Sequence, residues 1–307
     1  MSPVYERLLI IADIEGSSGC WCEQAARFRT PEWAEACGHM SMDVHEVVQA
    51  LFQAGVKAVT VKDFHRTGYN LLPELIDPRA RIIQGFQRGP IPGVGQSDAA
   101  EAVIFLGLHA ASGTDGFLAH TLTSRIGALE VNGRPLAEVE LFSAALAPYG
   151  VRPILFQGGP VACRQAESAI PGIVTHPIDK SSGPEGLDAP AWRAGLARAA
   201  VGALQNREVQ PYRPPGPFRA VVTMRDGEYP ARKVAERWGF DRDGPRILIE
   251  AADIHRLLTD LIRLAYLTPW IERVIPLGLI GYRIWGRWGL AWARARRRLR
   301  ETPSARA

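Results

Sequence analysis

Four short apolar runs without polar alternation punctuate the chain: RLLIIA at 7–12, AVTVK at 58–62, AVIFL at 102–106 and PILF at 153–156. Such runs predict strands buried on both faces of a parallel sheet. Helical periodicity lies between them. Residues 31–54 carry Val44, Val47, Val48, Leu51 and Phe52 on one face and stop at Gly55. A second helix is predicted over 139–147, closed by Pro148 and Gly150, and a third over 163–169, stopped by Pro171. Strand, helix, strand in this order predicts an α/β fold with a mainly parallel sheet flanked by helices.

Other patterns interrupt this one. Asn132-Gly133, inside LEVNGRPL at 129–136, predicts a tight hairpin. KSSGPEG at 180–186 reads as a loop and is followed by a predicted helix over 190–204. PYRPPGP at 211–217 is a Pro-rich connector. Strands over 218–224 and 246–250 and an amphipathic helix over 254–266 then predict a smaller C-terminal α+β subdomain. The expected division is 1–180, 181–266 and a basic extension over 267–307.

Composition changes the picture at one end only. Hydrophobic residues make up 47% and charged residues 22% of the chain, which excludes a disordered protein. The net charge of +4 hides an asymmetry. From Leu267 onward nine Arg face two acids, a net of +7, which leaves the preceding body at −3. Cys20, Cys22, Cys37 and Cys163 form neither a Cys-x-x-Cys motif nor a thiolate metal set. They read as reduced thiols of a cytoplasmic protein. The apolar run at 8–12 is too short for a signal peptide and runs straight into acids.

The chemistry follows the strands. The first run ends in Asp13-Ile14-Glu15-Gly16, the second in Asp63-Phe64-His65, the third in Gly107-Leu108-His109. Sites in parallel α/β sheets lie at the carboxyl ends of strands, so these groups converge on one sheet edge. Gly16 to Gly19 permits the sharp turn that lets Asp13 and Glu15 face a common centre. Imidazole and carboxylate are the usual ligands of Zn2+ outside thiolate sites. A His after a strand also serves as a hydrogen-bonding residue, and an Asp as a turn former. The residues alone leave both readings open.

Five ordered motifs carry a resemblance. They are Ala12-Asp13-Ile14-Glu15-Gly16-Ser17-Ser18-Gly19, Val61-Lys62-Asp63-Phe64-His65, Leu106-Gly107-Leu108-His109-Ala110, Ala119-His120-Thr121, and the stretch Val131 to Glu138. In order and spacing the chain resembles the D-aminopeptidase family of dinuclear zinc metallopeptidases, of the dipeptide-permease-operon type. The resemblance implies two Zn2+ per subunit, with Asp13 bridging them and Glu15, His65, His109 and Glu138 completing the shells. It implies His120 as the catalytic residue, short peptides as substrate with D-amino acids admitted at the N-terminus, and a ring-like homo-oligomer. Asp63 would orient His65, or else form a turn. Other readings are a dinuclear hydrolase of another amide or a phosphoester, and a non-catalytic metal-binding protein tethered to membranes by its tail. Three departures bear on substrate rather than on the ligands: Lys62 where the family has Asn, Gly158-Gly159-Pro160 where it has Gly-Asp, and a shorter loop over 175–186.

Residues 268–300 hold Trp270, Trp285, Trp288 and Trp292 among arginines. Arg283 and Arg287 interrupt any span. The mixture suits peripheral contact with the inner membrane surface, and it also suits an oligomer-contact helix with a solvated basic end. Nucleic acid is not the expected partner. Gly278, Gly281, Gly286 and Gly289 argue against one continuous helix there.

Overall fold

The structure, a computed structural model, describes residues 3–301. Its central sheet has six parallel strands: β1 (Arg7–Ala12), β2 (Ala58–Asp63), β3 (Arg81–Ile83), β4 (Ala102–Leu108), β7 (Arg152–Gly158) and β8 (Val174–Pro177). The order is β3-β2-β1-β4-β7-β8. From β1 the chain winds outward through β2 and β3, then returns to lay β4 on the other side of β1. The crevice between the ends of β1 and β4 is therefore the topological switch point, where a ligand site is expected. β1 is buried at every position after Arg7, and β4 throughout, as unalternating runs require. β3 and β8 are short edge strands with mixed burial, so periodicity does not reveal them.

Helix α1 (Pro31–Gln53) starts where Thr30 accepts the Trp33 N–H at 3.0 Å, with Pro31 in the first turn. It ends at Gly55, whose φ of +94° no ordinary residue adopts readily. One face of the sheet is covered by α1 and by α4 (Ala189–Ala203), through Trp33, Val47, Leu51, Leu196 and Ala200. On the other face lie α2 (Glu138–Leu146) and α3 (Pro160–Ala169).

A second sheet is antiparallel, with order β10-β11-β9-β5-β6. It comprises β5 (Ile126–Val131), β6 (Arg134–Pro135), β9 (Phe218–Met224), β10 (Asp241–Asp243) and β11 (Arg246–Ala251). Asn132 and Gly133 both take positive φ, +51° and +80°, as the predicted hairpin turn demands. β11 alternates exposed and buried residues along its whole length. Its inner face packs with α6 (Ile254–Tyr266), and α5 (Glu228–Trp238) joins the same core. The sheets do not part the chain at one point. The 126–135 hairpin pairs with β9, and α4 packs on α1, so each crosses position 180.

Helix α7 (Pro269–Glu301) corrects one expectation, because it runs unbroken through its glycines. A Cβ at Gly286 would lie 2.2 Å from the Tyr69 ring, and one at Gly289 would lie 2.1 Å from the Phe28 ring. The glycines let the helix backbone press onto aromatic rings. Trp292 stacks on Trp33 of α1 at 6.3 Å, and Arg294 holds Glu74 through a two-pronged ion pair at 2.7 and 2.8 Å. Residues 302–307 of the predicted extension lie outside the described residues.

Candidate metal centre

The ends of β1 and β4 touch through backbone. Asp13 N donates to Leu106 O at 2.8 Å and Gly16 N to Gly107 O at 2.7 Å. Gly107 takes φ +78°, and a Cβ there would stand 2.0 Å from Asp13 O. Gly16 is confined too, since a Cβ there would stand 2.8 Å from the backbone of Gly107. Gln157 of β7 clamps the junction: its Oε1 accepts the Gly107 N–H and its Nε2 donates to Gly16 O, each at 2.8 Å. Two glycines and one buried amide thus fix the offset between the Asp13–Glu15 turn and His109.

All six predicted side chains meet at this junction. His65 Nδ1 lies 3.0 Å from Asp13 Oδ1 and 3.3 Å from Glu15 Oε2. His109 Nε2 lies 3.8 Å from Asp13 Oδ2, 3.7 Å from Glu15 Oε2 and 3.8 Å from Glu138 Oε1. His120 Nε2 lies 3.8 Å from Glu15 Oε1, and its ring stacks on His109 at 3.8 Å. Asp13 turns one oxygen to each of His65 and His109. Three groups of potential ligands result: Asp13–Glu15–His65, Asp13–His109–Glu138 and Glu15–His109–His120.

The three imidazoles share one arrangement. His65 Nε2 lies 2.9 Å from Ala26 O, His109 Nδ1 lies 3.2 Å from Ala110 O, and His120 Nδ1 lies 2.8 Å from Leu118 O. A carbonyl only accepts, so each of these nitrogens carries the proton. The other nitrogen of each ring then faces carboxylate oxygen, and a proton or a cation must stand between them. Glu138 Oε2 is buried with no hydrogen-bond partner, and Glu15 Oε2, also buried, faces the His65 and His109 nitrogens at 3.3 and 3.7 Å without a well-aligned hydrogen bond. Buried oxygens of this kind need compensation. Two or three nitrogens with three carboxylates and orphaned oxygens fit a divalent ion taking nitrogen and oxygen ligands.

The electrostatics agree. Burial opposes charge on His65, yet Glu15 and then Asp13 hold its pKa well above the usual value. Burial likewise opposes charge on His109, and Glu138, Glu15 and Asp13 raise it. Glu15 resists burial and is held well below the carboxylate range, chiefly by His65 and His120. Glu138 is pushed up by burial, against the pull of His109 and His120. It opens α2 and accepts the Leu122 N–H at 2.6 Å through Oε1. His120 sits between two residues in left-handed conformation, Leu118 (φ +49°) and Leu122 (φ +62°), and its own N–H donates to Ala110 O at 3.1 Å.

Asp63 differs from the expectation that it orients the His65 ring. It accepts Asn70 N, Asn70 Nδ2 and Leu71 N at 2.5, 2.8 and 2.8 Å, while Asn70 Nδ2 also donates to His65 O at 2.7 Å. It shapes the loop that carries His65 and does not touch the imidazole.

Sequence reading missed several supports. Lys180 donates to Ser17 O and to Cys20 O, the latter at 2.8 Å, and sits over the Trp21 ring. Arg193 Nε binds Asp43 at 2.7 Å beneath Ser18, which gives Asp43 both its N–H and its hydroxyl. Tyr266 donates its hydroxyl to Leu122 O, beside Glu138. Their partners lie more than 100 residues away in sequence, so no local spacing marks them. A pocket of about 350 Å³ opens beside Glu15 and His109, walled by Phe117, Pro160, Val161 and Lys180.

A buried carboxylate–imidazole cluster thus stands at the switch point of a parallel α/β sheet, open on one side to a pocket, with a donor set that suits a metal-dependent enzyme. The sequence profile of the D-aminopeptidase family matches residues 7–259. A D-aminopeptidase from Bacillus subtilis (strain 168) is 26% identical over 228 residues, which is 73% of this chain and 82% of that protein. The solved structure of the Zn-dependent D-aminopeptidase DppA from Bacillus subtilis, described as a self-compartmentalizing protease, is similar with a TM-score of 0.76. Its identity is 22%, over 84% of this chain and 96% of that one. At that identity the likeness speaks for the fold. The chain belongs to the D-aminopeptidase family, as its strand-end motifs imply, and is by that membership a peptidase.

Proposed function

We propose that the chain is a zinc-dependent aminopeptidase that releases N-terminal residues from short peptides, D-amino acids among them. The carrying observation is that three imidazoles each give one N–H to a backbone carbonyl and turn the other nitrogen onto shared carboxylates. Asp13, with its oxygens facing opposite ways, would bridge two ions, and Glu15, His65, His109 and Glu138 would complete their shells. The zinc dependence of the similar Bacillus subtilis enzyme supports the choice of metal. Zinc bound there supplies Lewis acidity and a water deprotonated near neutral pH.

The remaining roles belong to the chain. Ala26, Ala110 and Leu118 fix the tautomers, so each imidazole presents a lone pair inward without reorganising. His120 is the most exposed of the three rings, at 17% of its side chain against 5% for His65 and 2% for His109. Its Nδ1–H is committed to Leu118, which leaves Nε2 to hold a proton at the edge of the cluster. We assign it that general acid–base role. Small and apolar residues on the pocket wall, Pro160 and Val161 among them, would seat a short side chain and exclude water.

The self-compartmentalizing relative supports a homo-oligomer, which light scattering on the purified protein would establish. The four free thiols favour a reducing compartment, and we place the protein in the cytoplasm. Metal analysis followed by cleavage of a D/L di- and tripeptide library tests the reading. His120→Ala is expected to keep its metal and lose turnover by about 10²–10⁴-fold. Protein that binds two metals and cleaves no peptide would overturn the assignment.

A further inference from the structure

Helix α7 has two faces. One presses on the body through Gly286, Gly289, Leu290 and Ala293. At about 100° per residue, Trp270, Leu277, Ile284, Trp288 and Leu299 fall within an arc of about 60° on the opposite side. They are 71%, 72%, 50%, 72% and 76% exposed. Gly281, Ala291 and Ala295, all exposed, fill the same side. The result is an apolar stripe roughly 40 Å long on a rod-like helix. Isolated exposed apolar residues are ordinary, but large ones aligned along one side of a helix mark a contact surface.

Charge identifies the occupant. Exposed Arg273, Arg287 and Arg296 border the stripe, and Glu272 is the single acid in α7 before Glu301. We propose that α7 is the membrane-docking element of this protein and lies flat on an anionic lipid bilayer. The indoles of Trp270 and Trp288 would enter the headgroup region, with the arginines reaching phosphates alongside. Among the described residues no helix is long and apolar enough to cross a membrane, so the contact is peripheral. A second copy of the chain fits less well. Two stripes packed face to face would bring their flanking arginines together, with only Glu272, already paired to Arg263, as an acid in either helix before Glu301. The family region ends at residue 259, before the stripe begins, so the fold common to the family does not include this face. The inference is independent of the catalytic assignment.

Co-sedimentation of the full chain with vesicles tests it. Vesicles of phosphatidylcholine with phosphatidylglycerol should bind the protein, and vesicles of phosphatidylcholine alone should bind it far less. High salt should weaken the contact. Substituting two exposed stripe residues, Ile284→Glu with Trp288→Glu, should reduce binding roughly 100-fold or more. The same variant should keep the wild-type unfolding midpoint and peptidase rate, because neither side chain touches the catalytic cluster. Equal binding of variant and wild type would overturn the proposal. So would failure of the wild type to bind anionic vesicles, and a shift of the variant to a smaller species in light scattering would then reassign the face to a second copy.

Discussion

Replacing Gly107 by Ala tests whether the glycine contact between β1 and β4 sets the geometry of the proposed metal centre. Gly107 holds φ +78°, which costs an Ala about 1–2 kcal/mol. The added methyl would also stand 2.0 Å from Asp13 O, where Cβ contacts below 3.0 Å essentially do not occur. The strands must therefore part by about 1 Å in a tightly packed interior, and overpacking of this kind costs about 1–3 kcal/mol. The sum is roughly 2–5 kcal/mol, or a fall in Tm of about 4–10 °C for a chain of this size. Gly133→Ala is the matched control, because it has φ +80° and nothing within 4 Å of the added Cβ. It should lose only the conformational share, about 2–4 °C. Thermal unfolding separates the two variants, and metal analysis well below either midpoint gives the second readout. G107A should hold less than the wild-type metal content, since Asp13 is the residue displaced, and G133A should match wild type. Equal loss of Tm in both variants, or full metal content in G107A, would refute the reasoning.

Three further outcomes are expected. Asp43→Ala leaves Arg193 buried without its carboxylate partner and should cost about 3–5 kcal/mol in urea unfolding, while a loss below about 1 kcal/mol would show that the network carries little weight. Lys62 is 1% exposed, and burial lowers its pKa to about 8. The unfolded chain therefore binds more protons between about pH 8 and 10.5, so this residue makes stability rise with pH in that window by up to roughly 3 kcal/mol. Lys62→Met should remove that rise, and parallel pH profiles for the two proteins would contradict it. Chelation should abolish peptidase activity and lower Tm, and zinc at a hundredfold excess over its Kd should restore about 3 kcal/mol. A Tm indifferent to chelator would count against a metal at this cluster.

The strand ends were legible because buried parallel strands have an unmistakable pattern and place whatever follows them on one edge. That reasoning reaches Asp13, Glu15, His65 and His109. It does not reach Glu138 or His120, which arrive from a helix start and an irregular loop, and only the ordered motifs bring them in. Asn132-Gly133 announces its own hairpin, but nothing local announces that β5 pairs with β9 some 90 residues later. Gln157, Lys180 and Arg193 act through partners distant in sequence, so their roles exist only after folding. Helix α7 is continuous where its glycines predict a break, for a physical reason. Glycine weakens a helix by backbone entropy, yet here Gly286 and Gly289 allow a close approach to rings that no larger residue would permit.

Those two glycines also bear on how chains of different length should be compared. The region matched to the family stops at residue 259, and the remainder has the look of an appendage. Yet Tyr69 and Phe28 meet the helix at Gly286 and Gly289, Trp33 is stacked by Trp292, and the loop between His65 and Tyr69 lies under the same helix. A polypeptide cut at the family boundary would expose an aromatic wound next to a proposed ligand. A shorter relative is therefore not this protein with its tail removed: its surface around those positions must be finished by other side chains.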